Sequence, residues 1–178
     1  SDLPNYDGSG RKGQNLFTNS IVGLDINTGK MKWYFQALHH DVWDWDLVTG
    51  PIMFDATVKG QTVKAVASLA KTCYVYAFNR ETGKPLYPIV EMAVPTKSDV
   101  PNEEIYPTQP IPFNARSVPQ SPFCATFPSN VEDPKLQAQS RVMFTPPSSK
   151  ESLVISPGAV GGPNRGPSAR SGEHTSEL

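Results

Sequence analysis

Helical periodicity is almost absent from this sequence, and no apolar run approaches the ~18 residues needed to span a bilayer. The first absence excludes a helical bundle, and the second leaves no spanning helix within the chain. Charge of one sign is also missing. The 16 Lys and Arg against 17 Asp and Glu leave a formal charge of −1, so there is no basic footprint for nucleic acid and no polybasic membrane patch. There are 2 cysteines, Cys73 and Cys124, isolated and outside any CxxC or Cys/His spacing, which argues against metal ligation through them. They read as unpaired or buried thiols, with a disulfide in an oxidising compartment as the alternative. No G-x-S-x-G elbow supports a serine-type triad. No charged-then-apolar export signal opens the chain, and Ser1 reads as mid-protein because SDLPNYDGSGRKGQN is a turn-rich loop entering a strand.

Turn formers are plentiful instead. The 18 prolines and 13 glycines cluster, which argues against a self-contained globule even at 178 residues. Runs rich in β-branched and aromatic residues predict strands at about 19–24, 32–37, 52–57, 64–70 and 73–79, with a weaker one at 152–155. Residues 58–61 fit a hairpin turn and 70–73 a tight connection. The fold class is all-β. From about 92 to 150, eleven prolines interrupt any regular element. Aromatics in that stretch (Tyr106, Phe113, Phe123, Phe127, Phe144) argue for an insertion packed across the surface and rimming a site rather than a linker. A short helix is expected near 133–139.

The hairpin pattern occurs twice. Gly23-x-Asp25-x-x-Thr28-Gly29-x-x-x-Trp33 matches Ala77-x-Asn79-x-x-Thr82-Gly83-x-x-x-Tyr87 at an offset of 77 − 23 = 54 residues. Such a period signals one supersecondary unit used repeatedly, as in a propeller or solenoid. In each copy a strand ends in an Asx turn, Thr-Gly reverses the chain, and an aromatic arrives on the next strand. The small residue at the head leaves room for a ring to dock against backbone.

Residues 39–46, HHDVWDWD, hold three carboxylates, two imidazoles and two indoles. An extended backbone would put Asp44 and Asp46 on one side and Trp43 and Trp45 on the other. Two acids beside fixed aromatics suit a general base next to a cation; a solvated turn with its tryptophans in a core is the competing reading. Zinc on His39 and His40 is disfavoured, because consecutive strand residues point apart. Trp43-Asp44 lacks the upstream Gly-His of a WD repeat.

The docking repeat, followed by HHDVWDWDL and by ASLAKT with Lys71, resembles the quinoprotein dehydrogenases that use pyrroloquinoline quinone (PQQ). GKPLYPI, PTQPIP, FTPPS and LVISPG extend the likeness over residues 8–162, closer to the glucose and aldose enzymes than to the methanol enzymes. The resemblance implies about three blades of an eight-bladed β-propeller over residues 1–169. Asp25, Thr28, Gly29 and Trp33, then Ala77, Thr82, Gly83 and Tyr87, would be the docking motifs linking blades. Asp44 matches the catalytic aspartate. Lys71, 71 − 44 = 27 positions on, matches the basic residue that contacts the quinone carbonyl. Asp44 and Asp46 are the metal-ligand candidates, with calcium as the expected ion and magnesium or a lanthanide as alternatives. The family's metal-binding Asn would fall at or just before Ser1. Gly13-Gln14-Asn15 stands where Gly-Asp-Asn is common, and Gly23 where Ala is usual.

The resemblance further implies oxidation of a sugar or primary alcohol, with electrons passed to a cytochrome c or a membrane quinone. It implies a periplasmic location, with any membrane anchor in a part outside this chain, and an isolated segment that is inactive. A non-catalytic quinoprotein-like scaffold in the cell envelope is the alternative; Asp44 and Lys71 together weigh against it. Residues 170–178, RSGEHTSEL, differ in one residue from a translated sequencing adapter (RSEEHTSEL) and read as a non-native tail.

Overall fold

The computed structural model describes residues 4–124, 131–164, 166 and 168–169. Phe127 and the tail at 170–178 therefore lie outside the described residues. The elements in chain order are β1 (Ser20–Leu24), β2 (Met31–Gln36), β3 (Ile52–Val58), β4 (Gln61–Leu69), β5 (Val75–Asn79), β6 (Ile89–Ala93), β7 (Thr108–Pro112) and α1 (Pro134–Gln139). The strands pair antiparallel in three small sheets, β1-β2, β3-β4-β5 and β6-β7. Asp133 caps α1, its carboxylate accepting from the Lys135 and Leu136 amides at the helix start.

The two repeats fold into the same turn. The Asp25 carboxylate accepts from the Asn27 and Thr28 amides and from the Thr28 hydroxyl, and Gly29 N–H closes back on Asp25 O at 2.8 Å. Asn79 does likewise with the Glu81 and Thr82 amides, and Gly83 N–H returns to Asn79 O at 2.8 Å. The Thr28 contacts, then the Asn27 amide, hold the Asp25 carboxyl below the usual carboxylate range. Gly29 and Gly83 both have positive φ, 68° and 72°, as the reversal requires.

Between the copies sits Trp33. It pairs directly across from Gly23, where an added Cβ would lie 2.5 Å from the indole. A Cβ on Gly83 would lie 2.6 Å from the same ring, and the indole N–H donates to Arg80 O at 3.0 Å. The first repeat is thus clamped onto the turn of the second. Trp33 also packs against Phe78, and Phe35 against Phe78 and Tyr76, which joins β2 to β5 through one aromatic core.

Two expectations about the chain beyond β5 need correction. It is not loop throughout, since β6 and β7 form a sheet with prolines at 110 and 112. Val94 and Phe113 amides donate to Pro107 O and Pro88 O across this pair, so odd-numbered residues of β7 face β6. Pro110 and Pro112 therefore lack their N–H only on the outer side, where no ladder bond is lost. Their outward carbonyls are used: Gln120 N–H donates to Pro112 O, and the Tyr76 hydroxyl lies 3.0 Å from Pro110 O. The weak strand expected at 152–155 reduces to a bridge between Ser140 and Val154.

The cysteines differ from expectation as well. Cys73 and Cys124 form a disulfide across a sequence separation of 51. Closing a loop of that size removes about 4 kcal/mol of unfolded-chain entropy in the simplest model. The signal was invisible in spacing because the insertion folds back onto the β4–β5 turn, with Phe123 N–H donating to Cys73 O at 3.0 Å.

Candidate active site

Residues 38–51 leave β2 without forming a strand, so the alternation expected of an extended chain does not apply. His40 and Asp44 take positive φ, 45° and 61°. What organises the loop is Asp41, buried to 2 % exposure. One carboxylate oxygen accepts from the Trp43 and Trp45 amides at 2.9 and 3.2 Å, and the other faces Asn19 Nδ2 at 3.4 Å. Asn19 Oδ1 in turn accepts from Leu47 N–H. Arg11 donates to Asp41 O at 2.5 Å. Trp43 and Trp45 stack at 5.3 Å with 16° between planes, while the Asp44 and Asp46 carboxylates both approach the Lys71 ammonium.

Lys71 supplies the positive charge. It lies in the β4–β5 turn, where Cys73 N–H closes onto Ala70 O at 2.8 Å. Its ammonium donates to Asp46 Oδ1 at 2.5 Å and to Asp44 O at 2.9 Å, with Asp44 Oδ2 at 3.7 Å. Its side chain is only 6 % exposed, against 26 % for Asp44 and 14 % for Asp46. The segment at 158–162 accounts for that burial. A Cβ on Gly161 would meet Lys71 Cβ at 2.5 Å, and one on Gly162 would meet the sulfurs of both Cys124 and Cys73. Gly162 N–H donates to Lys71 O at 2.9 Å. Disulfide and glycine pair together hold the lysine stem against the carboxylates.

The histidines do not join this centre. His39 bridges Gln36 Oε1 at 2.7 Å and Glu91 Oε1 at 3.0 Å, and Gln109 clasps its backbone from both sides. His40 lies 3.0 Å from Gly13 O, under Gly8. Both rings are held by hydrogen bonds to neighbouring protein groups.

The tryptophans serve as core and as wall at once. Their indole N–H groups donate to Thr145 O (Trp43, 2.7 Å) and Gly158 O (Trp45, 3.0 Å), and Phe144 packs edge-on to both rings. They line a cleft of about 220 Å³ with Tyr6, Leu153, Ile155 and the chain at 157–159. Asp44 and Lys71 do not line that cleft themselves; Asp44 adjoins it through the loop it shares with the indoles, and Lys71 reaches that loop through its bond to Asp44 O. Tyr6 feels them: partial burial, then the Asp44 charge, raises its phenol pKa.

A buried ammonium fits a planar, oxygen-rich quinone. The ammonium makes two hydrogen bonds, leaving donor capacity for a third, and Asp44 Oδ2 stands 3.7 Å away, beyond hydrogen-bonding distance. The fit to a metal ion is only partial. Asp44 and Asp46 offer hard oxygens, yet among the described residues no cluster of three or more His, Cys, Asp or Glu side chains occurs.

A hairpin whose indole stacks on the turn glycine of the next copy, joining small antiparallel sheets around one aromatic core, defines a blade contact of a β-propeller. Comparison with known proteins then gives the family. The model described as "PQQ: Glucose/ethanol/alcohol dehydrogenase, beta-propeller domain" matches residues 1–176, and the chain belongs to that family. It is 32% identical over 173 residues to the quinoprotein glucose dehydrogenase of Gluconobacter oxydans (strain 621H), covering 88% of this chain and 20% of that protein. To the quinoprotein glucose dehydrogenase of Escherichia coli (strain K12) it is 33% identical over 158 residues, covering 83% of this chain and 19% of the relative. The chain thus spans about a fifth of the length of these relatives. Among solved structures, a europium-containing methanol dehydrogenase aligns over 94% of this chain and 24% of its own, with TM-score 0.55 and 23% identity, a likeness of fold.

The residues missed from sequence are Asn19, Asp41, Tyr6, Gly161 and Gly162. Asp41 stood in view within the acidic cluster, and only its burial separates it from its neighbours. Gly161 and Gly162 were visible as GG, but nothing in the sequence paired them with Lys71, 90 positions upstream of Gly161.

Proposed function

We propose that this chain is part of a PQQ-dependent dehydrogenase that oxidises a sugar or primary alcohol, with Asp44 as general base and Lys71 as the cation for the quinone carbonyl. The observation that carries this reading is the buried Lys71 ammonium 3.7 Å from the Asp44 carboxylate, beside a cleft walled by stacked indoles. When bound, the quinone supplies an electrophilic carbonyl that accepts hydride from the substrate C–H. Asp44 is partly exposed and takes the hydroxyl proton as the C–H bond breaks. Lys71 would hold the quinone by its carbonyl oxygen, its buried ammonium supplying positive charge where negative charge develops, in a water-poor setting that strengthens the interaction. Asp46 holds that ammonium in place through its hydrogen bond at 2.5 Å. The oxidised substrate leaves as an aldehyde or lactone.

Calcium is the ion we assign to the full site, with Asp44 and Asp46 contributing oxygens and further ligands lying beyond the described cluster. Electron transfer to a cytochrome c or membrane quinone and a periplasmic location belong to the same reading.

The test is reconstitution of the holoenzyme with quinone and calcium. Asp44→Asn retains the cofactor, read by its absorption spectrum, and loses about 10²–10⁴-fold in kcat. Undiminished dye-linked turnover in that variant sinks the assignment.

A further inference from the structure

A second cleft of about 320 Å³ adjoins the aromatic one, within the ~300–1,000 Å³ range of small-molecule sites. The two share Pro147 and Leu153 as a common wall. Their linings are opposite in character. The first is aromatic and aliphatic; the second presents Lys97, Asp99, Arg141 and Glu151, with the Ser148 and Thr145 hydroxyls beside them.

Its charges are balanced, two cationic side chains against two anionic ones, and mostly anchored. Asp99 accepts from the Ser148 hydroxyl at 2.5 Å and from the Ser149 amide and hydroxyl at 2.8 Å each. Those bonds, with Ser148 first, hold its carboxyl at about 2, so it is ionised at any working pH. Arg141 is fixed by the Ala138 and Ser140 carbonyls at 3.0 Å and faces Glu151 at 3.9 Å. A balanced cleft has no net field to draw an anion or a cation. It offers fixed donors and acceptors in side-by-side pairs, the chemistry that matches neighbouring hydroxyls.

We propose that this polar cleft is a second sugar subsite, taking the hydroxyl-rich far end of a substrate whose first ring lies in the aromatic cleft. The substrate class is then a neutral saccharide longer than one ring, or a sugar bearing a polyhydroxylated extension. The position of its reacting end rests on the reading of Asp44 and Lys71 above; occupancy of the polar cleft does not.

The experiment is calorimetric titration of the holoenzyme with maltose and, separately, with gluconate as an anionic control. Lys97→Gln and Glu151→Gln are the variants; both residues are exposed, so the fold tolerates them. Maltose binds the native protein, binds each variant at least tenfold more weakly, and outcompetes gluconate. Equal maltose binding in native and variant proteins overturns the proposal, as does tighter binding of gluconate or no maltose binding at all. Loss of the dehydrogenase reading is seen separately, as absence of quinone-dependent oxidation of any sugar or alcohol, and leaves the binding result to judge the cleft.

Discussion

At the scale of single residues the site is governed by one ion pair. Lys71 and Asp46 meet at 2.5 Å with side chains 6 % and 14 % exposed, so neither charge is well solvated. A buried pair contributes little net stability, but removing one partner strands the other, at a cost of about 3–5 kcal/mol. Asp46→Ala leaves the ammonium with a more distant carboxylate, and Lys71→Met leaves two carboxylates facing each other. Each single variant should therefore unfold at clearly lower denaturant than the native holoenzyme. The double variant should be less destabilised than the sum of the two, with a coupling of about 1–3 kcal/mol from urea titrations. Additive losses would show that the two residues do not act as a unit. Asp46, read from sequence as a metal-ligand candidate, has in this geometry a second task, to anchor the cation.

At the scale of elements the repeated hairpin makes a sharper comparison available. Gly29 and Gly83 occupy equivalent turn positions with φ of 68° and 72°, so an alanine at either pays the same left-handed penalty of about 1–2 kcal/mol. Only Gly83 has a neighbour, with Trp33 Cγ 2.6 Å from the added Cβ, whereas Gly29 has nothing within 4 Å. Gly83→Ala should therefore destabilise by about 1–3 kcal/mol more than Gly29→Ala, the usual cost of overpacking. Equal losses in denaturant titrations would mean the indole does not depend on that turn. The comparison also shows what was legible. Asp25, Thr28, Gly29 and Trp33 could be read because a turn and its clamp are local in sequence and recur at a fixed offset. β3, β4 and β5 were found from β-branched runs within about three residues of their ends. β6 and β7 were not, because Pro110 and Pro112 read as breakers until the parity of the pairing shows their missing N–H facing outward. The same limit hid Asp41, Gly161 and the Cys73–Cys124 bridge, whose roles come from segments that meet only in the fold.

At the scale of the whole molecule, the described strands leave much apolar surface uncovered. Val22 and Tyr34 pair across β1 and β2 yet are 42% and 44% exposed, and Leu24 is 59% exposed. Val90 and Met92 on β6 are 40% and 38% exposed. The three sheets hold two, three and two strands, so backbone edges stay open beside these side chains. In a propeller the sheets cover each other face to face, and the Trp33 contact is one such joint. Where partner sheets are missing, the same surfaces become adhesive. We therefore expect the chain expressed by itself to associate as its concentration rises, seen by sedimentation velocity, and to bind a hydrophobic dye. Adding a charge at an exposed position, as in Leu24→Lys, should reduce that association without touching the Asp44 and Lys71 site. A monomer that stays dispersed at all concentrations and unfolds in one sharp transition would count against the blade reading of β1 and β2.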